Sequence, residues 1–350
     1  MEPKFMSTAI GSMPFDKPDY AVGVSLKTLD APIWPQLPKL GLLEQMEIQY
    51  SEGIPCAVVE QDKGRMYIKT DGDYSEKFAE FYEKYMAVDE GGDMGFAAIS
   101  EKYSKGIYAL EKALKTKGGK LPVLKVQTTG PCSFALTIVD EKKRAIFYNE
   151  EFRDVVIKAL ALKCRWQLRK FKPYADKLIC FIDEPILSAF GSSTYVSVKR
   201  DEVVAAIHEV VDAVHAEGAL AGVHCCGNTE WSILIDSGVD IVNFDAFAYG
   251  DTIAMYAAQV KAHLEKGGIL AWGVVPTSPQ IRTQTAETLE AQLESVMNNL
   301  ASKGIPKALI AKQAMITPSC GTGSLDPADA EKVFSLLSQL AKRMKAKYKF

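Results

Sequence analysis

From about residue 120 onward, short apolar runs alternate with longer stretches whose apolar residues recur three and four positions apart. The runs are Leu121–Gln127, Lys177–Asp183, Ala219–His224, Asp240–Asp245, Gly268–Val274 and Ala314–Pro318. Between them lie stretches such as the one carrying Leu289, Leu293, Val296, Met297 and Leu300 on one helical face. A strand covered by helices on both sides reads as a continuous apolar run, because neither face meets water. The pattern predicts a parallel sheet wrapped in helices. Two upstream runs, Ser7–Gly11 and Pro55–Glu60, bring the strand–helix units to eight, the number that closes a barrel. A doubly wound open sheet is the alternative, but no Gly-x-Gly-x-x-Gly turn follows the first strand. The chain therefore reads as α/β, a single (β/α)8 TIM-type barrel over residues 1–350. A small insertion is expected within 61–120, with Tyr67–Tyr74 as a hairpin.

The bulk numbers fit one well-filled core, with 47% apolar and 24% charged residues. A net charge of −3 argues against a nucleic-acid surface, which needs clustered Lys and Arg. No apolar stretch reaches the roughly 18–20 residues of a membrane span, and the opening Met-Glu-Pro-Lys-Phe has no signal-peptide core. Seven cysteines, an odd number in a long chain, argue against a disulfide framework. A cytoplasmic setting is expected, with the cysteines serving as core residues, ligands or nucleophiles.

Chemistry gathers where the strands end. Side chains alternate along a strand, so in His224-Cys225-Cys226 the first and third share a face while Cys225 points elsewhere. The next strand ends in Asn243-Phe244-Asp245, and the eighth runs into Ser319-Cys320-Gly321. Two thiolates, an imidazole and a carboxylate form a nitrogen–sulfur set suited to zinc. Cys56, Cys132, Cys164, Cys180 and Cys225 are read as structural, and His208, His215 and His263, in helical patterns, as surface residues. Asp183-Glu184-Pro185 closes the fourth strand; these carboxylates either meet an ammonium, act in acid–base chemistry or cap the next helix. Ile10-Gly11-Ser12 forms a turn whose glycine lets backbone N–H groups approach a ligand carboxylate. Asp326-Pro327 opens a last helix with the apolar face Val333, Phe334, Leu336, Leu337 and Leu340.

Five segments in this order carry a resemblance: Ile-Gly-Ser at 10–12, Thr-Gly-Pro at 129–131, Ile-Asp-Glu-Pro at 182–185, His-x-Cys at 224–226 and Cys-Gly at 320–321. Together they resemble the C-terminal catalytic barrel of cobalamin-independent methionine synthase, in the superfamily that includes uroporphyrinogen decarboxylase. The resemblance implies a Zn2+ ion on His224, Cys226 and Cys320, with Asp245 standing where the family has a ligating Glu. It implies that Ile10 and Ser12 hold the carboxylate of homocysteine and that Asp183 meets its ammonium, with Glu60 a further candidate for that ammonium. Thr277 stands where the family has an acidic His, and the long enzymes' N-terminal half, which helps bind polyglutamylated folate, is not part of these 350 residues. N5 of methyltetrahydrofolate is a good leaving group only when protonated, whereas methylcobalamin does not need a proton because Co(I) leaves directly. The implied reaction is therefore methyl transfer from methylcobalamin, free or on a corrinoid protein, to homocysteine, giving methionine. Methyltetrahydrofolate as donor, coenzyme M as thiol, and a uroporphyrinogen-type decarboxylase are the alternatives.

Overall fold

A computed structural model describes residues 1–350. Nine strands are present: β1 (Met6–Ser7), β2 (Ala57–Glu60), β3 (Arg65–Ile68), β4 (Leu121–Thr129), β5 (Ala175–Asp183), β6 (Leu220–Cys225), β7 (Ile241–Phe244), β8 (Ile269–Val275) and β9 (Ala314–Pro318). Seven of them form one sheet in the order β1-β9-β8-β7-β6-β5-β4, every pair parallel. The gap between β1 and β4 is filled by the extended segment 31–36. On one side Ala31 N–H donates to Ser7 O (3.0 Å), Gln36 N–H to Gly11 O (3.0 Å) and Met13 N–H to Gln36 O (2.8 Å). On the other, Lys125 N–H donates to Pro32 O (2.9 Å). The sheet thus curls into a barrel of eight staves, as the alternating pattern predicts.

One stave differs from the sequence-based expectation. Pro55–Glu60 is not the second barrel strand; its residues 57–60 pair antiparallel with β3 in a separate hairpin. That hairpin turns at Gly64, in the left-handed region at φ 61°, and lies upstream of the Tyr67–Tyr74 position expected for it. The true second stave, Ala-Pro-Ile-Trp-Pro-Gln, contains two prolines that lack an N–H and interrupt any regular ladder. Its apolar run is broken for the same reason.

Ser7–Gly11 is a regular strand only over Met6–Ser7, whereas the six runs from residue 121 onward match their strands to within two residues at each end. Along them, alternate residues face the barrel axis and form layers. A lower layer of Val123, Ile179, Ile241, Ile269 and Met315 is apolar. Above it, the Phe181 ring lies against Gly222, where a Cβ would approach the ring to 2.6 Å. The top layer is polar: Gln127, Asp183, His224, Asn243 and Thr317, all buried. Outside, helices such as 150–171, 200–216 and 286–302 cover the sheet with their apolar faces. The last helix, Pro327–Tyr348, buries the expected Val333, Phe334, Leu336, Leu337 and Leu340. His208 and His215 are partly exposed as expected, but His263 is buried, only 8% exposed, against the barrel's lower end. No helix is long and apolar enough to cross a membrane.

Candidate metal centre and substrate cavity

The C-terminal ends of the strands surround a cavity of about 280 Å³. Its wall includes Ile10, Ser12, Gln36, Asp183, His224, Cys226 and Cys320. At its floor the ligand atoms of His224, Cys226 and Cys320 all lie within 4.8 Å of one another. Tetrahedral bonds of about 2.0–2.3 Å to zinc place donors roughly 3.5–3.8 Å apart, so small rotations bring this set to bonding distance. Cys225, one residue away, turns into the core and donates to Gly227 O (3.5 Å), as strand alternation requires.

Two further observations test the fit of a metal. His224 Nε2 is buried without a hydrogen-bond partner, while Nδ1 is engaged by Asn243 Oδ1 at 2.6 Å. An imidazole nitrogen left bare in a buried site costs free energy unless something binds there. The thiols are also strained in charge. The Cys320 thiol beside Cys226 holds the Cys226 thiol well below its ordinary range. The same neighbour pushes Cys320 far up, because a second thiolate would face the first. A divalent cation relieves that repulsion, and the donor set is the one zinc prefers. The residues fit the ion.

Asp183 stands next to His224 in the sheet register. Its Oδ1 is buried and without a partner. Burial pushes its carboxyl up to about 6, with the Lys125 ammonium pulling the other way. Lys125 is itself fully buried in the barrel, donating to Ile10 O and to Gln127 Oε1 (3.1 Å) and lying 4.6 Å above the Phe181 ring. Burial brings its pKa down to about 8.

The second carboxylate of the pair has a different task. Glu184 is fully buried and accepts from the backbone N–H groups of Cys132 (2.8 Å) and Ser133 (2.7 Å) and from the Ser133 hydroxyl (2.7 Å). It holds the first turn of helix Pro131–Thr137, and Gly130 is glycine because a Cβ there would lie 2.2 Å from the Glu184 carboxyl carbon. The Thr-Gly-Pro and Asp-Glu-Pro motifs are thus one packed unit, with Glu184 as the anchor and Asp183 facing the cavity.

Three expected site residues are not brought to the cavity. Glu60 lies in the β2–β3 hairpin and forms ion pairs with Lys63 (2.9 Å) and Arg65. Asp245 does not join the converging donors; β7 ends one residue earlier, and its carboxylate caps the helix Ala246–Tyr249 by accepting from Ala248 N–H at 2.8 Å. Thr277 does not line the cavity; its Oγ1 lies 3.0 Å from the hydroxyl of Ser319, the neighbour of Cys320. The sequence reading gave no role to Lys125, Gln127 or Asn243. Their signal was present: each is a polar residue at an inward position of an otherwise apolar strand.

No protein-family model matches the chain, and no curated protein matches it by sequence. Among solved structures it is similar to a methyltransferase from Methanosarcina mazei, with a TM-score of 0.56 and 14% identity over 96% of this chain and 93% of that one. That likeness establishes the shared barrel fold. A broad-specificity GH5-4 endoglucanase from Bacteroides salanitronis overlaps less well, with a TM-score of 0.40 and 14% identity over 69% of this chain and 76% of that one.

Proposed function

We propose that the chain is a zinc-dependent methyltransferase that moves a methyl group from methylcobalamin, free or on a corrinoid protein, to the thiol of homocysteine, giving methionine. The observation that carries this reading is the convergence of two thiols and a partnerless imidazole nitrogen beside a partnerless buried carboxylate, in one cavity. The described activity of the Methanosarcina mazei neighbour belongs to the same reaction class. Zinc on His224, Cys226 and Cys320 would keep a coordinated substrate thiol ionised at neutral pH, where a free thiol with a pKa of about 8.5 is mostly protonated. With Asp245 engaged as a helix cap, three protein donors remain, the number typical of catalytic zinc sites that admit a substrate.

The chain's own residues then do the positioning. Asp183 receives the substrate ammonium, and the 10–12 turn faces the substrate carboxylate. Methylcobalamin, when bound, would supply a methyl group to the thiolate, the bonding electron pair leaving with the corrinoid. That leaving group needs no proton, which agrees with Thr277, a neutral hydroxyl tied to Ser319, at the position of an acid.

The deciding experiment supplies zinc-loaded protein and homocysteine with methylcobalamin and, separately, with methyltetrahydrofolate. Methionine from methylcobalamin alone is the expected result. Turnover with folate alone overturns the corrinoid donor, and no methylation with either overturns the reaction. Coenzyme M in place of homocysteine tests the thiol.

A further inference from the structure

We infer that Asn243 is the positioning residue of the metal centre, fixing which nitrogen of His224 is free to bind and where it points. The inference rests on the metal reading above and adds a residue to it. Asn243 lies on β7 directly beside His224 of β6, and it is fully buried. Its amide meets three neighbours. Nδ2 lies 2.8 Å from the Ala271 carbonyl oxygen on β8 and 2.8 Å from Thr317 Oγ1 on β9, while Oδ1 lies 2.6 Å from His224 Nδ1.

These contacts determine the proton. A backbone carbonyl only accepts, so the amide edge facing Ala271 must be the NH2 group. Oδ1 then faces His224 and can only accept, which puts the imidazole proton on Nδ1. Nε2 is left with its lone pair, and it is the buried atom without a partner. A flipped amide would set its oxygen against the Ala271 carbonyl oxygen and its NH2 against His224 Nδ1, driving the imidazole proton to Nε2 and turning a donor toward the thiols.

The same side chain also joins the strands that carry the ligands. It is held on β8 and β9, and it holds the ring on β6; Cys320 follows Thr317 by three residues. Ligating histidines are commonly oriented by a partner on the second ring nitrogen, and losing that partner typically weakens metal binding by roughly 10–100-fold.

The test is metal affinity, read without turnover. Zn2+ and Co2+ are titrated into the whole chain against a chromogenic chelator. Asn243→Leu, similar in volume but without polar atoms, is expected to weaken binding by roughly 10–100-fold, and Thr317→Val to weaken it less in the same direction. In a His224→Ala background, Asn243→Leu should add nothing, because its effect passes through the imidazole. A purely structural role would lower the melting temperature and leave the affinity of the folded protein unchanged. The inference is overturned if Asn243→Leu binds as tightly as the unsubstituted chain, or if its loss is undiminished without His224. Should Asn243→Leu not fold, Thr317→Val decides by the same measure. Failure of the unsubstituted chain to bind either ion would instead overturn the metal reading itself.

Discussion

A Cβ on Gly321 would stand 2.1 Å from Ser12 Oγ. The loop carrying Cys320 therefore closes directly onto the turn after β1. Thr322 reinforces the contact by donating its N–H and its hydroxyl to Ser12 O, each at 2.9 Å, and Gly323 N–H donates to Ser12 Oγ at 3.2 Å. Gly321→Ala must displace the Ser12 hydroxyl from Gly323 N–H or push this loop, and Cys320 with it, away from the turn. Overpacking of this kind costs about 1–3 kcal/mol. The variant is expected to melt earlier and to retain well under one zinc per chain by elemental analysis. Full zinc content would mean the loop absorbs the shift without moving Cys320.

The ligand set makes its own prediction. Cys226→Ser and Cys320→Ser should lose zinc, because each removes one of the three converging donors. Cys225→Ser should keep it, since that sulfur faces the core. Asp245→Asn should also keep it, because the Asp245 carboxylate caps a helix and is not among the converging donors. Zinc lost in Asp245→Asn would restore the fourth-ligand role that the family resemblance implies.

Much of this was legible in the chain, for physical reasons. Buried parallel strands advertise themselves as apolar runs, and six of them were located to within two residues. Strand alternation alone separates Cys226 from Cys225. The second stave was not legible, because Pro32 and Pro35 break both its ladder and its apolar run. Pro55–Glu60, with its denser apolar pattern, drew the assignment and pulled Glu60 toward a site it does not reach. The roles of Asp183 and Glu184 were inseparable by sequence, since only the packing of Gly130 against Glu184 distinguishes the anchor from the residue facing the cavity.

Glu184 gives stability a pH dependence. Burial pushes its carboxyl up to about 7, against hydrogen bonds from Cys132 and Ser133 that pull it down. The folded chain thus holds this proton more tightly than the unfolded chain does. The associated stability is fully present below the unfolded pKa, near 4.5, and is lost as pH rises through about 7. Its size is of order 3 kcal/mol. Glu184→Gln has no such proton to lose, so urea midpoints of the metal-free proteins should diverge in their pH dependence between pH 4.5 and 7.5. Parallel profiles would remove Glu184 as the cause.

Lys125 is the one cation beneath the cavity that steadies both Asp183 and the 10–12 turn. Replacing a buried charge with an apolar chain of similar length is often tolerated by the fold. Lys125→Met is therefore expected to remain folded and to keep its zinc. Without the ammonium, the Asp183 carboxyl rises further, and less of it is ionised at pH 7. The KM for homocysteine should increase several-fold and recover as pH is raised. An unchanged KM across that range would show that Lys125 serves the barrel interior alone.

Asp183 offers the sharpest test of the substrate. Its Oδ1 is buried, partnerless and in the wall of the cavity, and the unoccupied hydrogen-bonding capacity matches an ammonium donor. A hydrogen bond to a charged group contributes about 1.5–3 kcal/mol. Asp183→Asn should then raise the KM for homocysteine roughly 10–100-fold, while zinc content stays at the unsubstituted level. The matching change in the substrate is 4-mercaptobutanoate, which keeps the thiol, the chain length and the carboxylate but has no ammonium. The unsubstituted chain should methylate it as poorly as Asp183→Asn methylates homocysteine, and the two changes together should cost little more than either one. If 4-mercaptobutanoate were as good a substrate as homocysteine, the carboxylate would have no ammonium to meet. The cavity would then be built for a simpler thiol.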